Sequence, residues 1–393
     1  MKNNASYRKR KLNVLHLLNY PGKGGSERYI LSLAEGLHNK NCTFYVAYSQ
    51  KGPMLKELRS MGIEAVRLPM LCPYDLKAAL GVKKICAEKS IDVIHTHFLR
   101  ENYIGILSAI AGNKVPVINT VHMLQPKNLI TGLINSIVTR RDSEIIAVSN
   151  AVKNQLIKEG VDASKIKVIY NGVDVNYWSS GKSRLKVREE LGIGSGDFVV
   201  CSVARFSEEK GHMFLMETIK YFKKLIEHQG NKEELNRKIW FLLSGDGELF
   251  FQCKKFTEMA GISDDVIFTG YRDNIKEILH ASDLFVSHSK SEALGISILE
   301  AMACGLPVIS TNSGGPAEII NEDSNCGKIV EYGDVEGFAE GILELMRDKK
   351  KYDMYSKNSY NTVKNKFSLD RMVTETYNLY RAAVAKNEIP LPT

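Results

Sequence analysis

The sequence predicts an α/β protein made of two Rossmann-like domains, whose parallel β-sheets face each other across a cleft. Two observations predict this fold class. Short apolar runs alternate with helical patterns over most of the 393 residues, which is typical of parallel sheets covered by helices on both faces. The alternation is interrupted at 176–196, where the chain is rich in Ser, Gly and charged residues.

The predicted strands are apolar runs separated by turn-forming residues or helical patterns. In the first half they are Asn13–Leu18, Thr43–Tyr48, Glu64–Leu68, Asp92–His95, Val115–Val121, Ser143–Val148 and Lys167–Ile169. In the second half they are Phe198–Ala204, Ile239–Ser244, Val266–Phe268, Leu284–Ser287, Val308–Ser310 and Lys328–Val330. Helical spacing of apolar residues lies between them, for example at Ser26–His38 and Leu76–Glu88. These patterns predict a first domain at 1–175, a linker at 176–196, a second domain at 197–368 and a C-terminal helix at 369–393.

The net charge of +8 is distributed unevenly. Residues 1–170 carry 25 Lys and Arg against 12 Asp and Glu, whereas the remainder carries 28 against 33. A basic half favours an anionic partner such as a membrane surface or an acidic polymer. No nucleic-acid motif is found, so nucleic acid is not a predicted partner.

The cysteines and the apolar runs predict a cytoplasmic protein. The seven cysteines are scattered and contain no Cys-x-x-Cys pair, which argues against a zinc site or a disulfide framework. No run reaches the ~18 apolar residues that a membrane-spanning helix needs. We therefore expect a cytoplasmic protein that contacts the inner face of the membrane at most peripherally.

The most informative segment runs from Ser287 to Ile320. It contains two carboxylates, Glu292 and Glu300, and Glu300 lies in an otherwise apolar run where burial without a polar partner would be costly. Gly295 is expected to begin a helix whose free N–H groups favour a phosphate. This predicts a diphosphate at the helix N-terminus, with the carboxylates placed for neutral hydroxyls. The alternative is a buried Glu300 paired with a structural Arg.

Two cations follow the first strand of the second domain. Arg205 ends that strand and Lys210 lies in the same loop, so both could neutralise a diphosphate leaving group. The alternative is a pair of solvated surface charges, with Lys210 bound to Glu208 or Glu209.

Three further turns follow predicted strands and are candidate ligand contacts. The Gly24–Gly25 loop lies between the first strand and a helix, where Rossmann-like domains bind phosphate, although a structural turn explains it equally well. The turn at Gly245-Asp246 could approach a ligand or be purely structural, and Tyr271-Arg272 could contact a base or a ribose.

The histidines of the first domain do not predict a metal site. His95 and His97 are expected to point to opposite faces of their strand, and His122 follows another strand. The chain also has no Asp-x-Asp pair that would chelate Mg²⁺ or Mn²⁺ on a diphosphate. We therefore expect no metal.

Residues 127–141 have apolar side chains at helical spacing and basic residues at both ends. A core helix and an in-plane membrane helix explain this pattern equally well. The basic run 7–11 adds positive charge to the same half.

Together these residues resemble the retaining glycosyltransferases of family 4, which have the GT-B fold. The matching residues are Gly24-Gly25 with Glu27, His122, Arg205 with Lys210-Gly211, Gly245-Asp246-Gly247, and Glu292 with Glu300 followed by Ala-Met-Ala-Cys-Gly-Leu-Pro. They cover most of the chain, from Gly24 to Glu318. Met123 departs from the Asp or Gly that often follows this histidine in such proteins.

The resemblance implies that the second domain holds a nucleotide diphosphate sugar, for which we expect UDP. Glu300 would bind the ribose hydroxyls and Glu292 the sugar hydroxyls. Arg205, Lys210 and the backbone of Leu294, Gly295 and Ile296 would bind the phosphates. Gly245, Asp246, Tyr271 and Arg272 would complete the donor site.

In the first, acceptor-binding domain, the resemblance implies that the Gly24–Gly25 loop closes over the diphosphate. His122 would lie beside the transferred sugar, and the C-terminal helix would cross back to this domain. The implied activity is a retaining hexosyl transfer in polysaccharide biosynthesis, without cofactor or metal. The acceptor would be a hydroxyl of a lipid-linked or cell-surface glycan precursor.

Two other functions remain open at this point. A sugar-nucleotide epimerase would use the same donor site, but the basic first half argues against it. A non-catalytic subunit with the same fold would not need the acidic pair and the two cations together.

Overall fold

The computed structural model describes residues 10–22, 24–124, 129–181, 184–229 and 237–388. The chain divides into two compact units. The first unit comprises Met1–Asn171 and Leu369–Thr393, and the second comprises Gly172–Ser368. Each unit contains one sheet of parallel strands with helices between them, which confirms the prediction of two Rossmann-like α/β domains.

The first unit contains seven of the described strands. They are β1 (Leu12–Leu18), β2 (Cys42–Tyr48), β3 (Glu64–Arg67), β4 (Val93–Thr96), β5 (Val117–Val121), β6 (Glu144–Ala147) and β7 (Ile166–Val168). Its helices are α1 (Gly25–Leu37), α2 (Met54–Ser60), α3 (Leu76–Glu88), α4 (Leu99–Ile110), α5 (Leu129–Thr139) and α6 (Asn150–Lys158). The strand order is β3-β2-β1-β4-β5-β6-β7, so the direction of winding reverses between β1 and β4. Ligands of such sheets bind beside this reversal, at the carboxyl ends of the strands.

Alternate residues of β1 pack on opposite faces of the first sheet. Leu12, Val14 and Leu18 belong to one apolar core, and Leu15 and Leu17 belong to another. This alternation is the period-two geometry of a strand. It explains why both faces of the sheet carry helices.

The second unit contains six of the described strands in the order β10-β9-β8-β11-β12-β13. They are β8 (Phe198–Val203), β9 (Ile239–Ser244), β10 (Val266–Gly270), β11 (Leu284–Ser287), β12 (Val308–Thr311) and β13 (Gly327–Val330). Its helices are α7 (Val175–Ser179), α8 (Arg184–Glu190), α9 (His212–Gln229), α10 (Phe250–Met259), α11 (Ile275–Ala281), α12 (Ile296–Ala303), α13 (Pro316–Ile319), α14 (Val335–Arg347) and α15 (Lys349–Lys366). The winding reverses here between β8 and β11.

The segment 176–196, predicted as a linker, is instead part of the second unit. It includes most of α7 and all of α8, and the Arg188 side chain is only 1% exposed. The Arg188 guanidinium donates to the Asp283 carboxylate at 2.8 Å and to the carbonyl oxygens of Ala281 and Asp197. These buried contacts, which a polar composition does not reveal, attach the segment to the sheet.

The final helix, α16 (Leu369–Glu388), belongs to the first unit. Its side chains Met372, Val373 and Tyr380 are buried in the core that also contains α1. The Tyr380 hydroxyl lies 2.5 Å from the Nδ1 atom of His95 on β4. The sheet of the first unit is therefore covered in part by the end of the chain.

Among the described residues, none of the helices combines the length and the apolar character needed to cross a bilayer. Residues 7–9 of the basic run and the start of the predicted 127–141 helix, at 127–128, lie outside the described residues.

Candidate functional site

The predicted donor-binding residues lie at one edge of the second sheet. Arg205 and Lys210 follow β8, Glu292 follows β11, and the turns at Gly245 and Tyr271 follow β9 and β10. Because the strands are parallel, their carboxyl ends share an edge, and β8 and β11 are neighbours there. The two cations and Glu292 therefore flank the reversal where ligands of such sheets bind.

Hydrogen bonds connect these loops across the sheet edge. The Gly245 N–H donates to the Gly270 carbonyl at 2.9 Å, and the Phe206 N–H donates to the Asp246 carbonyl at 3.0 Å. The Lys290 N–H donates to the Glu209 carbonyl at 2.8 Å. The loops after β8, β9, β10 and β11 are thus held together by their own backbone.

The Glu292 backbone is held by hydrogen bonds to the loop that follows β12. Its N–H donates to the Ser313 carbonyl and its carbonyl accepts from the Gly315 N–H, both at 2.9 Å. A Cβ atom on Gly315 would lie 2.1 Å from the Ala293 carbonyl oxygen, so only glycine permits this approach. The position of the Glu292 carboxylate is therefore built into the fold of the two loops.

Glycine is also required at two turns beside the cations. Gly211, directly after Lys210, has φ of +70°, and a Cβ there would lie 2.2 Å from the His288 carbonyl oxygen. A Cβ on Gly245 would lie 1.9 Å from the Ala204 carbonyl oxygen. These glycines let the loops after β8, β9 and β11 pack backbone against backbone.

The two cations form ion pairs other than those expected if both were solvated surface charges. Lys210 Nζ lies 2.5 Å from the Glu292 Oε2 atom, and not beside Glu208 or Glu209. Arg205 instead pairs with Glu209 at 2.7 Å. Although burial opposes it, hydrogen bonds from Ser207 and Arg205 lower the pKa of Glu209 to about 2, so this carboxylate stays ionised beside the arginine.

Helix α12 begins after Glu292 and does not include it. Gly295 precedes the helix with φ of +98°, as predicted for a glycine that starts it. Ile296 is the first helical residue, with Leu294 buried just before. Glu300 is half-buried on the helix, among fully buried neighbours such as Leu299 and Ala301. The two carboxylates thus lie on a loop and on a helix, and not on one helix.

Tyr271 and Arg272 follow β10, two strands away from β8. Tyr271 is 58% exposed, and its hydroxyl donates to Asp273 at 3.0 Å. The Arg272 guanidinium pairs with Glu190 of α8 at 2.7 Å. These two residues therefore border the site instead of forming its centre.

In the first unit, the loop after β1 is organised by one carboxylate. Glu27 is buried, and its side chain accepts hydrogen bonds from the N–H groups of Gly22 and Gly24 at 3.2 and 3.0 Å, and from the Ser26 hydroxyl at 2.9 Å. Gly25 is the first residue of α1. The predicted Gly24–Gly25 turn is thus a preformed loop at the carboxyl end of β1.

Four histidines meet beside the reversal of the first sheet. The facing ring nitrogens of His16 and His97 lie 3.0 Å apart, and those of His97 and His122 lie 3.1 Å apart. The ring centroids of His95 and His97 are 4.3 Å apart, so the expectation that these two side chains point to opposite faces is wrong. Residues two apart on a strand share a face, and β4 ends at Thr96.

These histidines are neutral at physiological pH. Burial lowers the pKa of His16 and of His122 to about 3, and it lowers the pKa of His95 and His97 well below the usual value. The chemistry available to the group at pH 7 is therefore hydrogen bonding by neutral imidazole rings.

His16, His95 and His97 are close enough together for one metal ion. However, both ring nitrogens of His95 already have hydrogen-bond partners, the Tyr380 and Thr120 hydroxyls, at 2.5 and 2.7 Å. Both nitrogens of His97 also face other histidines. A metal at the usual 2.0–2.1 Å from each nitrogen would have to replace these hydrogen bonds, so the residues do not fit a metal centre well.

A cavity of about 830 Å³ opens beside His97 and His122 within the first unit. Its polar lining includes Asn19, Arg100 and Glu101, and its apolar lining includes Leu99 and Met123. The lining therefore comes in part from the residues that follow β4 and β5.

Sequence reasoning missed two histidines that organise these sites. His288 follows β11; its Nδ1–H donates to the Lys210 carbonyl at 2.6 Å, and its Nε2 atom accepts from the Ser202 hydroxyl at 2.9 Å. His16 lies inside β1 and contacts His97. A polar residue at the end of a buried strand, or within it, is the only local signal that either position offers.

Comparison with known proteins gives matches over both units. The family model described as Glycosyltransferase Family 4 matches residues 23–177. The model described as Glycosyl transferases group 1 matches residues 183–362. Together the two matches span most of both units.

Two curated relatives are similar over much of their length. A UDP-Gal:alpha-D-GlcNAc-diphosphoundecaprenol alpha-1,3-galactosyltransferase of Escherichia coli is 27% identical over 94% of this chain and 97% of its own. An N-acetyl-alpha-D-glucosaminyl L-malate synthase of Bacillus anthracis is 27% identical over 78% of this chain and 79% of its own.

Solved structures show the same fold. Anabaena HepE in complex with UDP has a TM-score of 0.83 at 22% identity, over 94% of this chain and 100% of that chain. A glycosyltransferase from Rickettsia africae has a TM-score of 0.83 at 23% identity, over 95% and 99% of the two chains.

Proposed function

Because this chain belongs to the family 4 glycosyltransferases of the GT-B type, we propose that it transfers a sugar from a nucleotide diphosphate sugar to a hydroxyl acceptor with retention of configuration. The observation that carries this proposal is the edge of the second sheet, where the loops after four neighbouring strands are bonded together around Arg205, Lys210 and Glu292. UDP is the proposed nucleotide, since UDP appears in the name of the Escherichia coli relative and is bound by Anabaena HepE.

We propose that the phosphates and the hydroxyls of the donor bind to different groups of the protein. Arg205, Lys210 and the N–H groups at the start of α12 bind the diphosphate, because cations and helix N-termini favour phosphate. Glu292 accepts hydrogen bonds from the sugar and Glu300 from the ribose. Roles for Gly24, Gly25, Asp246 and Arg272 toward the same donor stay predictions.

The chemistry of the proposed reaction follows from the charge that develops on the leaving group. Glycosyl transfer passes through an oxocarbenium-like state, and the departing nucleotide diphosphate gains negative charge. Positively charged donors placed in advance stabilise such charge. Arg205 and Lys210 supply this positive charge from the protein itself, so we propose that no metal is needed.

The cavity of the first unit is the proposed acceptor site. Arg100 is held there by hydrogen bonds to the Asn19 side chain at 3.1 Å and to the Met70 carbonyl at 3.2 Å. The buried Glu101 carboxylate accepts from the Asn19 N–H at 2.6 Å. Fixed polar groups beside the apolar Leu99 and Met123 suit a saccharide carried on an apolar group.

Helix α5 supports a lipid-linked acceptor. Thr131, Asn135 and Thr139, spaced four residues apart, line the cavity. Leu133 and Ile137, on another face of the helix, are 63% and 54% exposed. An apolar surface on a helix that also lines the acceptor cavity fits peripheral contact with a membrane, which the charge of the basic first half would strengthen on anionic lipid.

A donor assay tests the proposed reaction. The protein is screened for thermal stabilisation against a panel of nucleotide sugars, and the best ligand is then incubated with and without a polyprenol-diphosphate sugar. We expect slow donor hydrolysis alone and rapid nucleotide release with acceptor. Interconversion of the donor sugar without acceptor would identify an epimerase, and nucleotide binding with no turnover would identify a non-catalytic subunit.

A sedimentation assay tests the membrane contact. We expect the protein to bind anionic vesicles at low salt and to be released at high salt, because salt screens surface charges. Replacement of both Leu133 and Ile137 with Ser should weaken this binding, and replacement of the exposed Phe251 of the second unit, which is 79% exposed, should not. Failure to bind at low salt would refute the membrane contact.

A further inference from the structure

The chain of ring nitrogens from His16 through His97 to His122 couples the protonation of three residues. The ring centroids of His16 and His97 are 5.3 Å apart with an angle of 8° between the planes, although their nearest nitrogens are only 3.0 Å apart. The ring centroids of His97 and His122 are 5.4 Å apart with an angle of 26° between the planes, and their nearest nitrogens are 3.1 Å apart. The rings therefore meet edge to edge and nearly in plane, as hydrogen bonding through ring nitrogens requires.

A neutral imidazole has one N–H donor and one acceptor nitrogen. His97 uses Nε2 toward His16 and Nδ1 toward His122, so it must donate in one contact and accept in the other. That constraint leaves two arrangements for the three rings. Either all three carry the proton on Nδ1, or all three carry it on Nε2.

The buried end of the chain distinguishes these arrangements. His16 is fully buried, and its Nε2 atom has no hydrogen-bond partner within the described residues. If all protons were on Nε2, an N–H group would be buried there without an acceptor, and orphaned buried N–H groups are rare in folded proteins. With protons on Nδ1, the same atom is a bare nitrogen, in a ring whose centroid lies 4.6 Å from that of Phe44.

We propose that His16 donates to His97 and His97 donates to His122, so that His97 is a positioning residue that holds His122 as the Nδ1–H tautomer. The Nε2 atom of His122 is then occupied as an acceptor. Its Nδ1–H is the remaining polar group of a side chain that lines the cavity. His122 therefore presents a hydrogen-bond donor to a substrate oxygen and not a general base.

The surroundings of the chain are consistent with this assignment. Tyr29 of α1 packs edge-on against His97 and His122, with centroids 5.9 and 5.0 Å away. His95 is bonded to Tyr380 and Thr120 and does not share the nitrogens of the chain. Glu27 also lines the cavity, but its carboxylate is occupied by the loop after β1.

Nitrogen NMR of the intact protein with ¹⁵N-labelled histidine tests the tautomers directly. Chemical shifts distinguish a ring nitrogen that carries a proton from a bare one, and the variants His16→Asn, His97→Asn and His122→Asn assign the signals. We expect Nδ1–H forms for all three residues. Nε2–H forms, or different tautomers within the trio, would overturn the proposal.

Two substitutions at His97 test its positioning role. The amide nitrogen of His97→Asn lies near the position of Nδ1 and can still donate to His122, whereas that of His97→Gln lies near the position of Nε2. We expect His122 to stay Nδ1–H in the Asn variant and to lose this form in the Gln variant. An unchanged His122 tautomer in both variants would show that His97 does not set it.

The role in turnover rests on the proposed function. We expect His97→Gln to lower kcat by on the order of 10-fold to 100-fold, as when the partner that orients a functional histidine is removed, with a smaller change in KM. The loss should be smaller for His97→Asn. Equal losses in both would contradict the donor role, and the NMR result stands whether or not the protein transfers sugar.

Discussion

The Lys210–Glu292 ion pair is the contact on which the proposed donor site depends. The two side chains are partly exposed, at 25% and 17%, and ion pairs in contact with solvent contribute little to stability. Separating them therefore costs little free energy. We expect a donor to replace the pair, with Lys210 binding a phosphate and Glu292 binding a sugar hydroxyl.

Replacement of Glu292 should separate binding from transfer. We expect Glu292→Gln or Glu292→Ala to abolish transfer and to leave UDP binding at least as tight, because Lys210 loses a competing carboxylate. Calorimetry with UDP and a transfer assay measure the two effects. Glu208→Gln is the matched control, since this carboxylate pairs with Lys290 on the same loops. Near-wild-type turnover of the Glu292 variants would remove the proposed role.

Replacement of either cation should slow the reaction. We expect Arg205→Ala and Lys210→Ala each to reduce kcat on the order of 10²-fold or more, as does loss of one charge-stabilising donor. Lys290→Ala, which removes a neighbouring surface cation, should have little effect. Initial rates at saturating donor measure this, and equal losses in all three variants would indicate a general effect of charge.

At the scale of elements, the site is a row of loops whose backbones touch. Gly211 is central to it because it follows Lys210 and packs on the loop after β11. A side chain there would push apart the two loops that carry Lys210 and Glu292.

We expect Gly211→Ala to lose more stability than Gly192→Ala. Both glycines have φ of +70°, but nothing lies within 4 Å of a Cβ on Gly192. Gly192→Ala therefore reports only the backbone cost, about 1–2 kcal/mol, whereas Gly211→Ala adds the clash with the His288 carbonyl. Chemical unfolding followed by Trp fluorescence measures both. Equal losses would show that the two loops separate freely.

The strands could be predicted from the sequence, because each of them is a local apolar run, whereas the helices within 176–196 could not. The helix start at Gly295 was predictable because a glycine precedes the apolar run there. The contact partners were not. The pairing of Lys210 with Glu292 joins residues 82 positions apart, and His16 meets His97 across 81 positions. Such contacts depend on the order of strands in a sheet, which apolar periodicity does not specify.

For the whole molecule, the charge asymmetry of the sequence coincides with the division into units. The final helix and its tail carry as many acidic as basic residues, so the first unit keeps the excess of positive charge and the second unit the excess of negative charge. The unit that contains the proposed acceptor cavity is therefore the one that an anionic surface would attract.

The buried histidines should make the first unit less stable in acid. Histidine in an unfolded chain titrates near 6.5, whereas burial lowers the pKa of His16 and His122 to about 3. Their contribution is therefore complete above pH 6.5 and is lost as the pH falls toward 3. We expect the free energy of unfolding to decrease from pH 7 to pH 5, by at most about 1.4 kcal/mol per pH unit for each histidine.

Hydrogen exchange of the β1 amides at several pH values, corrected for intrinsic exchange, measures this slope. Both tryptophans, Trp178 and Trp240, lie in the second unit, so their fluorescence does not report on β1 directly. His16→Asn should reduce the dependence of the unfolding free energy on pH by the contribution of one histidine. An unchanged slope would show that His16 is not the neutral buried group described above.

The return of α16 to the first unit has a consequence for biosynthesis. A ribosome completes every residue of the second unit before it adds Met372, Val373 and Tyr380, which are buried in the core of the first. The nascent first unit is therefore still incomplete when the second unit already has all of its own residues. Until α16 is made, the apolar surface that these side chains will cover stays accessible to chaperones. We expect the second unit to reach its native state first, although it is translated second.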